Sequence, residues 1–339
     1  MRVLEDNCIS TVNIPNNLEV AYGFDYNTVL NLYASVNGDD GLAIWDPLSG
    51  KVVTEFEFYE SFRMRDAVFR DTLFLPGNRV GVSSSEYDHG GYIQIYNLGK
   101  DNSEGESFVI DKYLPITYPG ALALSPQNNL LVTEPFPPEW GVFEISMDWN
   151  DLKVLKCREI IPRNGEDDTA DGLWLISCSQ DFQISTCQNG DSAKSLSNVK
   201  VCFNAEGEVE IKQQETVSHY ILDGEEQEIW DLNGIVHDGQ HLIIAHGDDI
   251  VLLESATDGS NAHLIASNVE PSLQIRINSE GQLMVCEEKV IKLFEYKCNP
   301  RPLQGLCRCK IRNTIPFDYP DKVNSLAIPY ILKQYLLYK

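Results

Sequence analysis

The strongest constraint on the fold is a short apolar segment that recurs six times along the chain. Between residues 1 and about 297, apolar or alternating runs of four to seven residues are separated by clusters of Gly, Asn, Asp and Pro, which is typical of strands joined by turns. Six of these runs follow one another at spacings of roughly 40 to 60 residues, at 42–46, 92–96, 141–145, 199–203, 250–253 and 290–294. This period predicts an all-β propeller with four strands in each blade.

Two further segments show the strand that precedes the repeated one. Residues 121–132 and 273–285 each contain two alternating apolar stretches around a polar turn. These units resemble WD-type and NHL-type propeller blades, and the first unit ends in the pair Trp45–Asp46. Six units predict six blades, or seven if residues 11–24 help to close the ring by pairing with the last blade. A pair of β-sandwiches is the alternative arrangement.

The charge of the chain limits the partners that it can bind. Asp and Glu total 51 against 26 Lys and Arg, which gives a net charge of -25. This charge disfavours nucleic acid and anionic membranes and favours a basic protein partner. Because the chain has neither a long apolar run nor a signal peptide, we expect an intracellular protein, cytoplasmic or nuclear. Its nine cysteines lack metal-ligand spacing, so we expect reduced thiols, no bound metal and no cofactor.

The composition changes after residue 297. A Pro-containing break at 298–302 is followed by two segments with helical patterns, at 303–313 and 325–338. Residues 298–339 contain seven basic and two acidic residues, so this part carries about +5 and the rest about -30. We therefore predict a propeller domain at 1–297 and a small helical domain at 298–339.

The first helical segment, 302–312, has one apolar face. At about 100° per residue, Leu303, Cys307 and Ile311 share this face and Leu306 widens it. Pro302 fits the first turn, where its missing N–H has no helical partner to lose. A helix this short is unstable alone, so it packs either on the propeller, as a capping helical hairpin, or on a partner.

This segment resembles the elongin-binding box of SOCS-box proteins, and 324–338 resembles the cullin box that comes after it in the family. The resemblance implies that elongin C binds Pro302, Leu303, Leu306, Cys307 and Ile311. It also implies that a cullin contacts Leu326, Ile328, Pro329, Leu332, Tyr335 and Leu336. Ala327 stands where the first Pro of the cullin-5-selecting element usually lies, so cullin-5 is expected and cullin-2 stays open.

The same resemblance implies the function of the chain. A WD-repeat-like propeller followed by a SOCS box is expected to be the substrate receptor of an elongin B/C–cullin–RING ubiquitin ligase. Such a subunit makes or breaks no covalent bond itself. Its role is to raise the effective concentration of a protein substrate near the ubiquitin-loaded enzyme. A non-catalytic propeller scaffold is the alternative.

The substrate surface is predicted from loop residues. Aromatic side chains are frequent interface anchors, and acidic turns suit a basic partner. The candidates are Trp140, Phe136, Phe62, Asp39 and Asp40.

An enzymatic function has little support in the sequence. The phosphate loop, nucleophile elbow and HExxH signatures are missing, so we predict no catalytic residue. His237, His241 and His246 lie close together in sequence, but side chains on a strand and its turn usually face different sides. A calcium-dependent propeller hydrolase with acidic residues in its channel is the remaining enzymatic alternative.

Overall fold

The computed structural model describes residues 8–296 except 17, 19, 28, 38–40, 58–67, 87–89, 99–103, 111–115, 117–118, 135–140, 162–172, 179–181, 190–195, 204–207, 230–231, 239–240, 256, 270–274, 279–280 and 288. Every element in this part of the chain is a strand. Among the same residues, no helix has the length and hydropathy needed to cross a membrane.

The strands form six blades around a central channel. Blade 1 contains β2 (Val20–Asn27), β3 (Leu32–Asn37), β4 (Gly41–Asp46) and β5 (Lys51–Glu57). Blade 2 contains β6 (Val68–Leu75), β7 (Arg79–Glu86), β8 (Gly90–Leu98) and β9 (Glu104–Ile110). Blade 3 contains β10 (Leu122–Leu124), β11 (Leu130–Glu134), β12 (Gly141–Asp148) and β13 (Lys153–Ile161).

The second half of the ring has the same plan. Blade 4 contains β14 (Leu173–Cys178), β15 (Gln183–Asn189), β16 (Leu196–Phe203) and β17 (Val209–Val217). Blade 5 contains β20 (Leu232–His237), β21 (Leu242–His246), β22 (Asp249–Leu253) and β23 (Ser260–Ala266), with an added hairpin of β18 (His219–Leu222) and β19 (Glu225–Glu228). Blade 6 contains β24 (Ile275–Ile277), β25 (Leu283–Cys286), β26 (Val290–Phe294) and β1 (Cys8–Asn13).

The ring is closed by the first strand of the chain. β1 pairs antiparallel with β26, with Thr11 opposite Lys292 and Asn13 opposite Val290. The prediction that the region 11–24 helps to close the last blade is therefore right for its beginning, whereas its end belongs to β2 and opens blade 1. The structure confirms six blades, so the alternatives of a seventh blade and of paired sandwiches are wrong.

The apolar core lies between the blades. Six clusters of buried side chains occupy the interfaces between adjacent blades, and the cluster between blades 1 and 2 includes Ile44 and Val80. The six repeated segments of the sequence all lie in the third strand of a blade. Because a third strand has a neighbour on either side and a blade on either face, its side chains are buried at successive positions, as in β4.

The pair Trp45–Asp46 has a structural role at the end of β4. Trp45 is fully buried, stacks on Tyr33 at 4.6 Å and donates its indole N–H to Ser35 Oγ at 3.1 Å. The Asp46 carboxylate accepts the backbone N–H of Leu48 at 3.0 Å, in the turn to β5. The indole thus holds blade 1 together while the carboxylate stabilises the turn.

The two faces of the ring differ in their connections. Since neighbouring strands are antiparallel, first-to-second and third-to-fourth strand connections emerge on one face, which we call the exit face. The exit face includes 76–78, 125–129 and 238–241. The other strand ends lie on the opposite face, which we call the loop face, and they include the ends that flank 58–67, 111–121 and 162–172. β1 begins and β26 ends at the exit face.

Blade 5 carries an unpredicted extension. β18 pairs in parallel with β23, and β19 forms the outer edge of this sheet. Asp258 anchors the hairpin by accepting the backbone N–H groups of Ser218 at 2.7 Å and His219 at 3.1 Å. Glu225 and Glu226 lie on β19, the exposed edge strand of this sheet. Their negative charge discourages pairing of this edge with other chains.

Candidate functional site

An ion pair crosses the central channel. Asp71 lies on β6 of blade 2 and Arg276 on β24 of blade 6, so blade 1 separates the two in the ring. Arg276 Nη2 contacts Asp71 Oδ1 at 2.7 Å and Oδ2 at 2.9 Å. The Asp71 side chain is 1% exposed and that of Arg276 14%. The bridge therefore joins blades 2 and 6, which are not neighbours in the ring.

The carboxylate of Asp71 also joins neighbouring first strands. Its Oδ1 accepts the backbone N–H of Thr72 at 2.7 Å, and its Oδ2 accepts that of Leu122, in blade 3, at 2.8 Å. Ser177 repeats the arrangement between blades 4 and 5, because its hydroxyl accepts the backbone N–H of His237 at 2.8 Å. Polar side chains on first strands thus link each of these blades to the next.

Asp25 completes the charged group at the channel wall. Its carboxylate accepts the backbone N–H of Tyr26 at 2.8 Å and that of Phe74, in blade 2, at 2.7 Å. Burial raises the pKa of Asp25 to about 6, although the nearby Arg276 guanidinium acts in the opposite direction. Two carboxylates therefore share the positive charge of one guanidinium in a poorly hydrated place.

The described charged residues of the channel wall do not fit the calcium-dependent alternative. Calcium needs six to eight oxygen ligands, but the oxygens of Asp25 and Asp71 already accept backbone N–H groups, and Arg276 supplies the cation. A cavity beside the ion pair, lined also by Ala121 and Ile176, has room for about one water molecule. Among the described residues, no group of three or more His, Cys, Asp or Glu side chains is placed to hold a metal ion.

The three clustered histidines have separate environments. His237 is buried, and its backbone N–H contacts Ser177. His241 Nδ1 lies 3.4 Å from Asp238 Oδ2, and His246 Nδ1 lies 2.7 Å from the hydroxyl of Tyr220. The structure thus gives these histidines different partners rather than one common site.

The C-terminal end of the described chain is fixed to blade 5. Tyr296 comes after β26, is 7% exposed and packs in the apolar cluster between blades 5 and 6. Its hydroxyl donates to Asp238 Oδ2 at 3.0 Å. Asp238 lies in the turn between β20 and β21, so this contact is at the exit face.

The residues predicted to bind partners lie outside the described residues. This holds for Trp140, Phe136, Phe62, Asp39 and Asp40 in the propeller. It also holds for the predicted elongin-binding residues Pro302, Leu303, Leu306, Cys307 and Ile311, and for the predicted cullin-binding residues Leu326, Ile328, Pro329, Leu332, Tyr335 and Leu336. Their roles stay predictions, as does the domain boundary at 297.

Sequence reasoning missed the channel group and the Tyr296 contact. A charged residue inside a short apolar run, as Arg276 is between Ile275 and Ile277, was the available signal for the first. Its partner could not be found, because Asp71 lies 205 positions away. Tyr296 gives no such signal, because an aromatic residue after a strand is ordinary.

Comparison with protein families identifies the C-terminal part of the chain. Residues 299–337 match the SOCS box family. The molecule is thus a six-bladed all-β propeller with a SOCS box at its C-terminus. The SOCS box indicates an adaptor subunit of a ubiquitin ligase, which binds rather than catalyses. No curated protein matches this sequence.

Solved structures resemble most of the chain in fold. The luciferin-regenerating enzyme superposes with a TM-score of 0.56 at 12% identity, covering 85% of this chain and 95% of that one. A gluconolactonase from Xanthomonas campestris gives 0.54 at 9% identity, covering 84% and 89%. Virginiamycin B lyase from Staphylococcus aureus gives 0.53 at 14% identity, covering 84% and 98%. At these identities the likeness shows the fold and not a shared activity.

Proposed function

We propose that the chain is the substrate-recognition subunit of an elongin B/C–cullin–RING ubiquitin ligase. The observation that carries the proposal is the SOCS box match at 299–337 directly after a closed propeller. The box supplies the adaptor contact, and the propeller supplies a large rigid surface for a protein substrate. A cytoplasmic or nuclear location is part of the same proposal.

The substrate is proposed to bind the loop face. The box comes after β26, which ends at the exit face, so the opposite face is free of this attachment. The strands that flank 38–40, 58–67 and 135–140 all end at the loop face. These three segments contain Asp39, Asp40, Phe62, Phe136 and Trp140. Their mixture of acidic and aromatic residues supports a basic protein partner anchored by aromatic contacts.

Co-purification with elongin B/C tests the proposal. The full chain, expressed with elongin B and elongin C, is expected to form a ternary complex on size exclusion. The double variant Leu303→Ala, Cys307→Phe should abolish it, because it removes one apolar anchor and overfills the place of the other. The matched control is Gly305→Ala, Arg312→Gln, which changes the opposite side of the same predicted helix and should keep binding. Equal binding by all three proteins would contradict the proposal.

Cullin-5 is the proposed cullin, with its RING subunit. The element that resembles the cullin-5-selecting sequence is complete except for Ala327. Ala327→Pro is therefore expected to strengthen capture of cullin-5 by the ternary complex without changing capture of cullin-2. A preference for cullin-2 in both proteins, measured by titration of each purified cullin, would overturn this assignment.

A relationship to WD-repeat propellers is a finer proposal. It is supported by Trp45–Asp46, which lies at the end of a third strand and stabilises blade 1. The other five repeated segments lack this pair.

A further inference from the structure

The contact at the exit face has the features of a fixed anchor. Tyr296 is the last described residue, and its ring is buried among side chains of blades 5 and 6. Its hydroxyl reaches Asp238, whose side chain is only 3% exposed. We call Tyr296, Asp238 and His241 the tail anchor.

The acceptor of the tail anchor is held in place. Asp238 Oδ1 accepts the backbone N–H of His241 at 2.7 Å, and the backbone N–H of Asp238 donates to the His241 carbonyl at 3.1 Å. These bonds close the turn between β20 and β21. The Asp238 carboxylate is therefore held in one position relative to blade 5. Burial, together with the nearby carboxylate of Asp238, raises the pKa of the Tyr296 phenol, which therefore stays a donor.

The distance from the anchor to the SOCS box is short. The family match begins at residue 299, three positions after Tyr296. An extended chain covers at most about 3.6 Å per residue, so the match begins within about 11 Å of the Tyr296 Cα. A linker of this length allows far less relative motion than the flexible linkers that commonly join domains.

We propose that Tyr296 is a positioning residue that fixes where the SOCS box starts, against blade 5 on the exit face. This inference rests on the proposed function for its importance, because a receptor must hold its substrate at a defined distance from the rest of the ligase. Tyr296 acts through Asp238 and touches no substrate. The tail anchor limits how far the beginning of the box can move relative to the propeller.

A distance measurement within the full chain tests the anchor. Non-canonical amino acids at Leu48 and Asn299 carry the two dyes, since native cysteines rule out thiol labelling; Leu48 is 80% exposed. The reference protein has eight Gly and Ser residues inserted between Lys297 and Cys298, which separates the label at 299 from the anchor. Single-molecule energy transfer is expected to give a distance distribution at least twofold narrower for the parent chain than for the insertion.

Variants separate positioning from stability. Tyr296→Ala should broaden the distribution towards that of the insertion, and Tyr296→Phe, which keeps the ring, should broaden it less. Asp238→Asn keeps one oxygen for the backbone N–H of His241 and offers an amide N–H that the Tyr296 hydroxyl can accept, so the distribution should stay narrow. A parent distribution as broad as that of the insertion would overturn the proposal. So would a Tyr296→Ala protein that folds, by thermal unfolding, and stays narrow.

The experiment distinguishes failure of the anchor proposal from failure of the ligase proposal. The measurement is made on the chain alone and on its mixture with elongin B/C. A narrow distribution without elongin binding would keep the tail anchor and reject the ligase role. Elongin binding with a broad distribution would keep the ligase role and reject the anchor.

Discussion

Arg276 joins two blades that are not neighbours in the ring. Its partner Asp71 lies 205 positions earlier, and both side chains are withdrawn from water. A buried pair gains little over an apolar replacement, but the loss of one partner leaves a charge without compensation. The two residues are therefore expected to be strongly coupled.

Arg276→Met is predicted to lower the free energy of unfolding by about 3–5 kcal/mol, measured by chemical denaturation. Adding Asp71→Asn removes the stranded charge and should recover part of this loss. Lys51→Met, at an exposed position of β5, is the control and should change stability by about 0.5 kcal/mol or less. Strictly additive losses in the double variant would show that the pair is not coupled.

The Asp25 carboxyl is expected to make the stability of the protein depend on pH. Its pKa in the folded state is about 6, above its ordinary value of 3.8, so folding favours the protonated form. The stability that this group contributes is fully present below about pH 4 and is lost as the pH rises through 6. Carbon-13 titration of the Asp carboxyls should show the raised value, with Asp25→Asn for assignment. Arg276→Met should raise it further, and a midpoint near 3.8 in the parent would contradict the burial of Asp25.

At the scale of elements, the strands that sequence reasoning found best are the most enclosed. The segments 42–46, 141–145 and 290–294 are apolar because a third strand is covered on all sides, and each was placed in a strand that the structure contains. An outer strand such as β13 has exposed positions along much of its length, so its pattern carries less signal. The site was harder still, because contacts such as Tyr296 with Asp238 depend on how the ring closes.

β1 is predicted to be essential to the ring. Deleting residues 1–13 leaves β26 with an open edge, and the thermal midpoint should fall while aggregation on heating increases. Deleting residues 1–7 alone keeps β1 and should leave both measurements unchanged. Similar melting of the two truncated proteins would mean that β1 contributes no stability.

At the scale of the molecule, charge separates the two parts. The propeller sequence carries about -30 and the tail about +5. Capture of basic substrates by the loop face should therefore weaken as salt rises from about 0.1 to 1 M, since the screening length falls from about 10 to 3 Å. Capture of elongin B/C is the internal control. Its expected anchors are apolar, so this capture should not weaken as salt rises. Substrate capture that is insensitive to salt would contradict an electrostatic loop face.

The pairing of β1 with β26 also has a consequence for biosynthesis. During synthesis β1 has no partner strand, and it remains unpaired until residues 290–294 of β26 have been made. The family match at 299–337 is translated only after that point. A prematurely ended product with an unclosed ring therefore lacks the box as well, so it cannot occupy elongin in place of a complete receptor.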